Sequence, residues 1–488
     1  MRTLLFLFLL LTHIACTAQD LKSGGRLKPE QANMDIRHYT LVLTVDPKAQ
    51  SIDGHTEIDL LLQQPTDKLL FDLTHVLTVK SIEVNGQPQE YRHDSDLIYI
   101  TGKTAWKAGR TRVKIAYGGK PAVAENAPWK GGFQWAKDSL GNPWISITCQ
   151  GEGAKVFFPC KDHPSDEPNE GAEMYITVPK GLVVAGPGLL KSVKDAPNGQ
   201  STHHWRTNYT INNYCIVFNV GKYKAVNRTY KSVDGNNIPM VFYVLDYNAD
   251  KAQHHLELLE RSCRILEKYF GEYPFAKEKI GIAETPHLGM EHQTMNAYGN
   301  KYRYRKIAGN DFDWLLHHEF GHEWWANKVS NKDWAHMWIQ EGICSFGDAL
   351  YTREMEGEEA YQKRMSITAN NLSDKKKVIL ADTADSDLAY SGDIYAKGAF
   401  FMHSLRFVLG DEIFFPTLKK LATDPQYTYD NMIGTEDVEK LFSKASGMNL
   451  KSFFDFYLRT SERFQFVVKK TESGDYNISL SNFDMPLP

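Results

Sequence analysis

The chain has 488 residues, of which 42% are apolar and 24% charged, and its formal net charge is −4. This length allows roughly two or three domains with a sizeable core. Because no stripe of lysine and arginine residues stands out, the composition excludes the basic surface that nucleic-acid binding requires, and we expect no nucleic acid among the partners.

Residues 1–18 have the features of a secretory signal peptide. A single arginine precedes an apolar run from Leu4 to Leu11, and small residues follow up to Ala18. The run is too short to span a bilayer, and no later segment approaches the roughly 18 consecutive apolar residues of a transmembrane helix. We therefore expect an exported protein, periplasmic or extracellular, without stable membrane insertion. Acylation of Cys16, as in a lipoprotein, is the alternative.

The cysteines that follow the predicted signal peptide form an odd and sparse set for an exported protein, so we expect no disulfide scaffold. A bridge between Cys149 and Cys160 remains open, but small buried thiols are the preferred interpretation. The set consists of Cys149, Cys160, Cys215, Cys263 and Cys344.

Two predicted domains follow each other along the chain. Over residues 33–225, runs such as HYTLVLTVD and TRVKIAY alternate apolar and polar residues, and turn signals such as VNGQ and YGGK separate them, which predicts an N-terminal antiparallel β domain. From about Asp250 apolar residues recur at spacings of three and four, which predicts a mostly helical domain over residues 226–460. Residues 461–488 return to strand-like sequence. The predicted fold class is multidomain α+β.

The stretch HHEFGHEWW, from His317 to Trp325, contains the pattern H-E-x-x-H. On a helix, residues four apart lie on one face about 6 Å apart along the axis, so His318 and His322 can direct their imidazoles at one point. A metal ion can be bound there, and Glu319 is placed to reach a metal-bound water instead of the metal. His317 faces away and is expected to be a packed or surface histidine.

A third ligand is predicted from the next helix. Eighteen residues separate His322 from Glu341, enough to end one helix, turn, and return a carboxylate from an antiparallel neighbour. Glu341 would complete a His/His/Glu site, which leaves the fourth tetrahedral position for water, as in catalytic zinc sites. We expect one Zn²⁺ per chain. Asp348, two turns beyond Glu341, either orients a ligand imidazole or belongs to a solvated face.

With these residues in place, the sequence resembles the gluzincin aminopeptidases, the family of aminopeptidase N and leukotriene hydrolase. The stretches LGMEHQ, TCQGEGAKVFFPCKDHPSDEP and YAKGA also carry the resemblance. It implies a thermolysin-like zinc-peptidase domain after the N-terminal β domain, and it identifies residues 461–488 as the start of a small β domain, cut short. The family's large C-terminal helical domain has no counterpart in the sequence.

The resemblance also implies roles for residues outside the metal pattern. LGMEHQ matches the family's Gly-x-Met-Glu-Asn motif, which assigns Gly289, Met290 and Glu291 to substrate binding. In that motif the carboxylate of Glu291 holds the free α-ammonium group of the substrate. Leu288 stands in place of the first glycine and His292 in place of the asparagine.

Two further residues are assigned in the same way. Gln150, in TCQGEG, helps to hold the amine, and Tyr395, which opens YAKGA, donates its hydroxyl to the oxyanion. Tyr390, in the preceding loop, is the competing donor. Glu319 would act as the general base and then deliver its proton to the leaving amine.

The predicted function is hydrolysis of the N-terminal peptide bond of peptides that have a free N-terminus, by zinc-activated water. One alternative is a thermolysin-like endopeptidase, which shares the zinc site but needs no carboxylate for the amine. The other is a catalytically silent scaffold protein on the same fold. The sequence predicts neither the oligomeric state nor the preferred N-terminal residue.

Overall fold

A computed structural model describes residues 21–483 of the chain. The predicted signal peptide, residues 1–18, and the predicted acylation site Cys16 lie outside the described residues. Within residues 21–483, no helix combines the length and the apolar character that crossing a bilayer demands.

The first unit is built of β-strands preceded by a short helix, α1 (Pro29–Ala32). Its strands alternate buried and more exposed side chains; Leu41, Leu43 and Val45 are buried, whereas Thr44 between them is exposed. The strands are β1 (Met34–Asp46), β2 (Ser51–Leu62), β3 (Thr66–Asp72), β4 (Leu77–Val84), β5 (Gln87–Pro88), β6 (Glu90–Asp94), β7 (Leu97–Trp106), β8 (Gly109–Gly119), β9 (Gly132–Lys137), β10 (Pro143–Thr148), β11 (Ala172–Pro179), β12 (Val183–Ala185), β13 (Leu189–Ala196), β14 (Gln200–Thr207) and β15 (Asn219–Gly221).

The largest sheet of this unit has the strand order β13-β14-β11-β1-β2-β8-β4-β5. The predicted β domain is confirmed with one difference, because β1 and β11 run parallel, with Leu41 beside Met174. The other neighbouring strands of this sheet are antiparallel. A parallel pair requires a long crossover connection, which the alternation within a strand does not reveal. Smaller sheets with the orders β12-β15-β10-β9 and β3-β7-β6 complete the unit.

The second unit begins with a mixed sheet of order β16-β17-β18-β20-β19. The predicted domain boundary after residue 225 falls inside β16, which pairs with β17 and so belongs with the second unit. A separate hairpin, β21 and β22, leads into the helices. The strands are β16 (Tyr223–Lys231), β17 (Asn237–Leu245), β18 (Ile280–Glu284), β19 (Gly289–Met290), β20 (Asn296–Tyr298), β21 (Arg305–Ile307) and β22 (Asn310–Phe312).

Helices make up most of the second unit. In the first long helix, Leu256, Leu259, Cys263 and Leu266 recur at helical spacing and are buried, which turns one face to the core. A hairpin, β23 (Phe466–Lys470) and β24 (Tyr476–Leu480), follows the helices. The helices are α2 (Ala252–Phe270), α3 (Trp314–Gly321), α4 (Trp338–Glu356), α5 (Glu358–Asn370), α6 (Ser386–Ala389), α7 (Gly392–Leu409), α8 (Asp411–Thr423), α9 (Thr435–Ser446) and α10 (Lys451–Phe454).

The N-terminal segment, residues 21–25, lies between the two units. The amide of Ser23 donates to the carbonyl oxygen of Gly151 at 2.8 Å, and the carbonyl oxygen of Ser23 accepts from the amide of Ser386 at 3.0 Å. The hydroxyl of Ser386 also donates to the Gly151 carbonyl at 2.5 Å. The loop after β10 and the start of α6 are therefore joined through this short stretch of chain.

The cysteines of the described residues are buried free thiols. Burial raises the pKa of Cys149 and of Cys160 well above the usual range, so neither thiol ionises readily. The bridge considered between these two residues is not formed, and both pack in the core as small apolar groups.

Candidate active site

Helix α3 carries the first two residues of the metal pattern. The helix begins after Asp313, whose carboxylate accepts hydrogen bonds from two amides of the first turn, at 3.1 Å and 3.3 Å. It ends at Gly321, so His322 lies one residue beyond the helix end. The φ of −66° and ψ of −14° at His322 stay close to helical values, which keeps His322 on the same face as His318.

Helix α4 brings Glu341 opposite these two histidines. Glu341 Oε2 lies 3.5 Å from His318 Nε2 and 3.3 Å from His322 Nε2. This oxygen is buried and accepts no hydrogen bond from any residue between 21 and 483. Ligand atoms of all three side chains lie within 4.8 Å of one another. The structure therefore brings the three predicted ligands together, and we call this group the metal cluster.

Both imidazoles are oriented through their other ring nitrogen. His318 Nδ1 lies 3.2 Å from Asp348 Oδ2, and His322 Nδ1 lies 2.8 Å from the carbonyl oxygen of Trp325. These acceptors favour the proton on Nδ1 and leave Nε2 free to bind a metal. Ligand atoms about 2.0–2.2 Å from a tetrahedral zinc ion lie roughly 3.3–3.5 Å apart, which agrees with the separations in the metal cluster. The donor set fits zinc, and Asp348 contacts a ligand imidazole.

Glu319 lies next to the metal cluster and is half-buried. Burial raises the pKa of its carboxyl to about 8, against the lowering effect of the His318 imidazole. Ligand atoms of Glu291, Glu319 and His322 also lie within 4.8 Å of one another. Two carboxylates this close favour a proton or a cation between them. We assign the metal to the metal cluster and not to this second group, because both imidazoles of the metal cluster are oriented towards Glu341.

The edge strand β19 passes very close to α3. A Cβ atom on Gly289 would lie 2.8 Å from Glu319 Oε1 and 2.8 Å from Leu315 Cδ1, closer than real Cβ atoms approach their neighbours. Glycine therefore allows the strand to lie against the helix. The next residue, Met290, is buried and borders the same space as Glu319.

Glu291 is held by residues from the first unit. Its Oε1 accepts hydrogen bonds from Gln150 Nε2 at 2.6 Å and from the Tyr214 hydroxyl at 2.9 Å. Burial raises the pKa of Glu291, so a cationic partner would stabilise its charged form. Sequence reasoning missed Tyr214, because it lies in a one-turn 3₁₀ helix (Asn213–Cys215), 64 positions from Gln150, and belongs to no motif that we identified.

Tyr395 reaches the site because α4 and α7 cross at two glycines. A Cβ atom on Gly342 would lie 2.7 Å from the Cα atom of Gly398, so larger side chains would separate the helices. The crossing leaves the Tyr395 ring 6.2 Å from the His318 ring. The hydroxyls of Tyr390 and Tyr395 are 3.2 Å apart. Tyr395 is half-buried and Tyr390 is exposed, so Tyr395 is the better-placed donor.

All the predicted site residues border one cavity of about 420 Å³. This volume lies within the roughly 300–1,000 Å³ of ordinary ligand pockets. Trp129 from the first unit and Trp314 from α3 also line it, although Trp129 is 54% exposed and Trp314 is 44% exposed. Sequence reasoning did not identify either tryptophan as a site residue. The predicted residues that line the cavity are Gln150, Gly289, Met290, Glu291, His318, Glu319, His322, Glu341 and Tyr395.

Family models match both units of the chain. The Peptidase M1 N-terminal domain matches residues 36–215, and the Peptidase family M1 domain matches residues 252–457. Over 405 residues, 77% of this chain, the sequence is 20% identical to endoplasmic reticulum aminopeptidase 1 of Mus musculus. Over 448 residues, 85% of this chain, it is 22% identical to puromycin-sensitive aminopeptidase of Caenorhabditis elegans. These matches cover 43% and 45% of the relatives, so the chain spans about half their length.

Solved structures share the fold. A mutant M1 zinc metallopeptidase of Deinococcus radiodurans, bound to a Tyr-Ser-Ala substrate, superposes with a TM-score of 0.75 at 21% identity, over 89% of this chain and 95% of that one. Leukotriene A4 hydrolase of Saccharomyces cerevisiae superposes with a TM-score of 0.72 at 17% identity, over 88% and 69% of the two chains. At these identities the likeness concerns the fold.

Proposed function

This chain belongs to peptidase family M1, and on that premise we propose that it is a zinc-dependent aminopeptidase. The observation that carries the proposal is the Glu291 carboxylate beside the metal cluster, held by Gln150 and Tyr214. Every unblocked peptide offers an α-ammonium group at its first residue, and this is the charge that such a carboxylate would bind. An amine fixed there leaves the first peptide bond at the metal cluster.

The chemistry divides among a few residues. The metal cluster would hold zinc, which supplies a Lewis acid that polarises the carbonyl and makes water acidic enough to ionise near neutral pH. Glu319 accepts a proton from the water molecule whose oxygen bonds to the carbonyl carbon. The Tyr395 hydroxyl donates a hydrogen bond to the carbonyl oxygen while that oxygen is negatively charged. Glu319 then delivers the proton to the amide nitrogen as the C–N bond breaks.

Short peptides are the proposed substrates. The mutant M1 zinc metallopeptidase of Deinococcus radiodurans was solved with a Tyr-Ser-Ala substrate bound, and we extend this substrate class to the present chain. The cavity of about 420 Å³ is large enough for a few residues, and Gln150 of the first unit borders it beside Glu291. Such a cavity favours removal of single residues over cuts within long chains.

The two alternatives predict different residues. An endopeptidase would bind peptide on both sides of the metal cluster and would have no use for a carboxylate such as Glu291, whose burial without a cation is costly. A silent scaffold protein would not need to keep Glu319, Tyr395 and all three metal ligands around one cavity. The arrangement therefore supports the aminopeptidase best.

One peptide in two forms tests the proposal. We expect the zinc-loaded enzyme to remove residues stepwise from the free peptide and to leave the N-acetylated form almost intact, because acetylation removes the charge that meets Glu291. Mass spectrometry of the products distinguishes the two patterns. Adding a chelator should abolish the reaction, and restoring zinc should recover it.

A pair of variants completes this test. Glu291→Gln should raise KM for the free peptide without making the acetylated form a substrate, whereas Glu257→Gln, on the exposed side of α2, should behave as wild type. Internal cuts in the acetylated peptide at a comparable rate would replace the aminopeptidase with an endopeptidase. If the zinc-loaded protein hydrolyses no peptide, the result would favour the catalytically silent scaffold protein.

We also propose export, as the sequence of residues 1–18 predicts. Intact-mass measurement of protein from its native source should then give a chain that begins at Gln19. A mass that includes acyl chains on Cys16 would favour the lipoprotein, and an uncleaved chain would contradict export by this signal.

A further inference from the structure

A second cavity lies next to the metal cluster, on the side of His318. It has a volume of about 310 Å³, and we call it the arginine cavity. The hairpin β21–β22 forms one wall, α5 supplies another residue, and Asp348 of α4, which contacts His318, borders it as well. The lining residues are Arg305, Phe312, Trp314, Asp348 and Arg364.

The side chain of Arg305 is positioned by the hairpin. Arg305 and Phe312 are direct cross-strand partners in β21 and β22. The guanidinium carbon of Arg305 lies 4.8 Å from the centre of the Phe312 ring, which supports the planar group by a cation–π contact. Because β22 leads directly into α3, this hairpin holds Arg305 in a fixed relation to the helix that carries His318.

Neither guanidinium group of the arginine cavity makes a direct ion pair with a described carboxylate. Within the described part of the chain, Arg305 and Arg364 have no ion pair and donate no side-chain hydrogen bond. The carboxylate of Asp348 is already directed at His318. Burial, and next the charge of Arg364, lower the pKa of Arg305, although the carboxylates of Asp348 and Glu356 oppose this shift. Two arginines against one carboxylate leave this cavity with a net positive charge.

The arginine cavity adjoins the substrate cavity at Trp314, which lines both. Glu291 lies close to His322, whereas Asp348 and the arginine cavity lie on the side of His318. Trp314 lies one helical turn before His318 on α3 and borders both cavities. A peptide with its amine at Glu291 and its first carbonyl at the metal cluster would bring the residues after the scissile bond to the two arginines if it extends along α3 towards Trp314.

We propose that Arg305 and Arg364 bind a carboxylate group of the substrate on the leaving side of the scissile bond. This inference rests on the proposed aminopeptidase function and adds the substrate class that the site prefers. Two parts of a peptide can supply this carboxylate group: the C-terminus of a di- or tripeptide, or the side chain of an aspartate or glutamate. Arginine recognises either through its planar pair of N–H donors.

The test compares substrates that differ only in one charge. The first pair is Leu-Gly-Gly with a free carboxylate and the same peptide as a C-terminal amide. The second pair is Leu-Glu-Gly amide and Leu-Gln-Gly amide. We expect kcat/KM to favour the carboxylate in at least one pair by about five- to tenfold, and the preference to shrink in about 0.5 M salt, since the arginines are partly solvated. The pair that responds identifies the source of the carboxylate.

Variants assign the effect to the arginine cavity. Arg305→Gln should reduce the preference to about one, and Arg305→Lys should keep part of it, because lysine retains the charge but not the paired donors. Arg303→Gln is the matched control, since this arginine is exposed like Arg305 and lies two residues away but does not line the cavity. Equal kcat/KM within both pairs for wild-type enzyme, or an unchanged preference in Arg305→Gln, would overturn the inference.

A binding measurement separates this inference from the proposed function. In the Glu319→Gln variant, calorimetry with the same peptides measures affinity without turnover, and the carboxylate form should bind about five- to tenfold more tightly. Loss of all hydrolysis in wild-type enzyme would contradict the aminopeptidase but leave this comparison intact. Equal affinities in that variant, with normal hydrolysis of leucine anilide by the wild type, would contradict only the carboxylate site.

Discussion

Replacing Gly289 by alanine tests whether the close approach of β19 to α3 sets the position of Glu319. The added Cβ would lie 2.8 Å from Glu319 Oε1 and 2.8 Å from Leu315 Cδ1, about 0.6 Å inside the 3.4 Å at which ordinary contact begins. Both contacted atoms belong to α3, whose start is fixed by the Asp313 cap. Gly289 does not have a positive φ, so the effect is steric and involves no backbone strain.

The structure sets the size of the expected effect. The strand or the Glu319 carboxylate must move by about 0.6 Å, and a misplacement of about 1 Å in a reacting group can lower the rate by about 100-fold. We therefore expect kcat to fall by about 10- to 100-fold, equivalent to about 1.4–2.7 kcal/mol in activation free energy. Both contacted atoms are the ends of flexible side chains, so the free energy of unfolding should fall by only about 1 kcal/mol, the lower end of the range for overpacking. The zinc content should not change, because the added methyl group touches no ligand.

The assay measures kcat and KM on leucine anilide, together with zinc content and the thermal midpoint. Gly392→Ala is the matched control, because its Cβ would meet nothing within 4 Å. This variant should keep wild-type activity and stability to within about 0.5 kcal/mol. A Gly289→Ala enzyme that is folded, loaded with zinc and as active as wild type would refute the idea that this contact positions Glu319.

Three other sites and one pH effect give further predictions. Glu319→Gln should keep zinc but lower kcat by about two to four powers of ten, and near-normal turnover would remove Glu319 from the mechanism. Tyr395→Phe should lower kcat far more than it raises KM. If only Tyr390→Phe has this effect, Tyr390 and not Tyr395 is the hydrogen-bond donor to the oxyanion. Asp348→Asn should weaken zinc binding by about 10- to 100-fold in competition with a chelating dye; unchanged affinity would make its contact with the histidine incidental. Burial lowers the pKa of His292 from 6.5 to about 3, so the unfolded chain binds more protons between these values, and stability is lost as pH falls below about 6.5. The fall in thermal midpoint from about pH 7 to about pH 5 should therefore be smaller in His292→Asn, and an equal fall would contradict this account.

The metal ligands could be predicted because their information is local. His318 and His322 are one helical turn apart, and the short connection to Glu341 leaves little choice other than an antiparallel return. The position of Tyr395 is different, because it depends on how closely α7 crosses α4. Spacing along the chain does not reveal that crossing, so the residue could be identified only through the resemblance of its surrounding segment to a known family.

Contacts between segments that are distant along the chain could not be predicted from the sequence. Tyr214 donates to Glu291 across the boundary between the two units, and no local pattern marks it. The sequence also does not reveal that Arg305 and Arg364 form no ion pair within residues 21–483, because an arginine in a sequence does not disclose whether a carboxylate lies beside it. The same limit applies to the parallel pair of β1 and β11, whose partners are far apart along the chain. Such features depend on how the helices and strands pack against one another, and the local sequence of each element does not determine that packing.

The N-terminal segment has a consequence for the order in which the enzyme is completed. Ser23 and its partner Ser386 are separated by 363 positions, so during synthesis the segment is exposed to solvent long before its partner exists. Closing so long a loop costs conformational entropy. The hydrogen bonds of the segment can offset that cost only when both walls of the cavity are already formed. We therefore expect the far-ultraviolet circular dichroism signal to recover early in refolding and peptidase activity to return in a later, slower phase. Gly151 adjoins Gln150, so we expect the Glu291 end of the cavity to take its final form in this later phase.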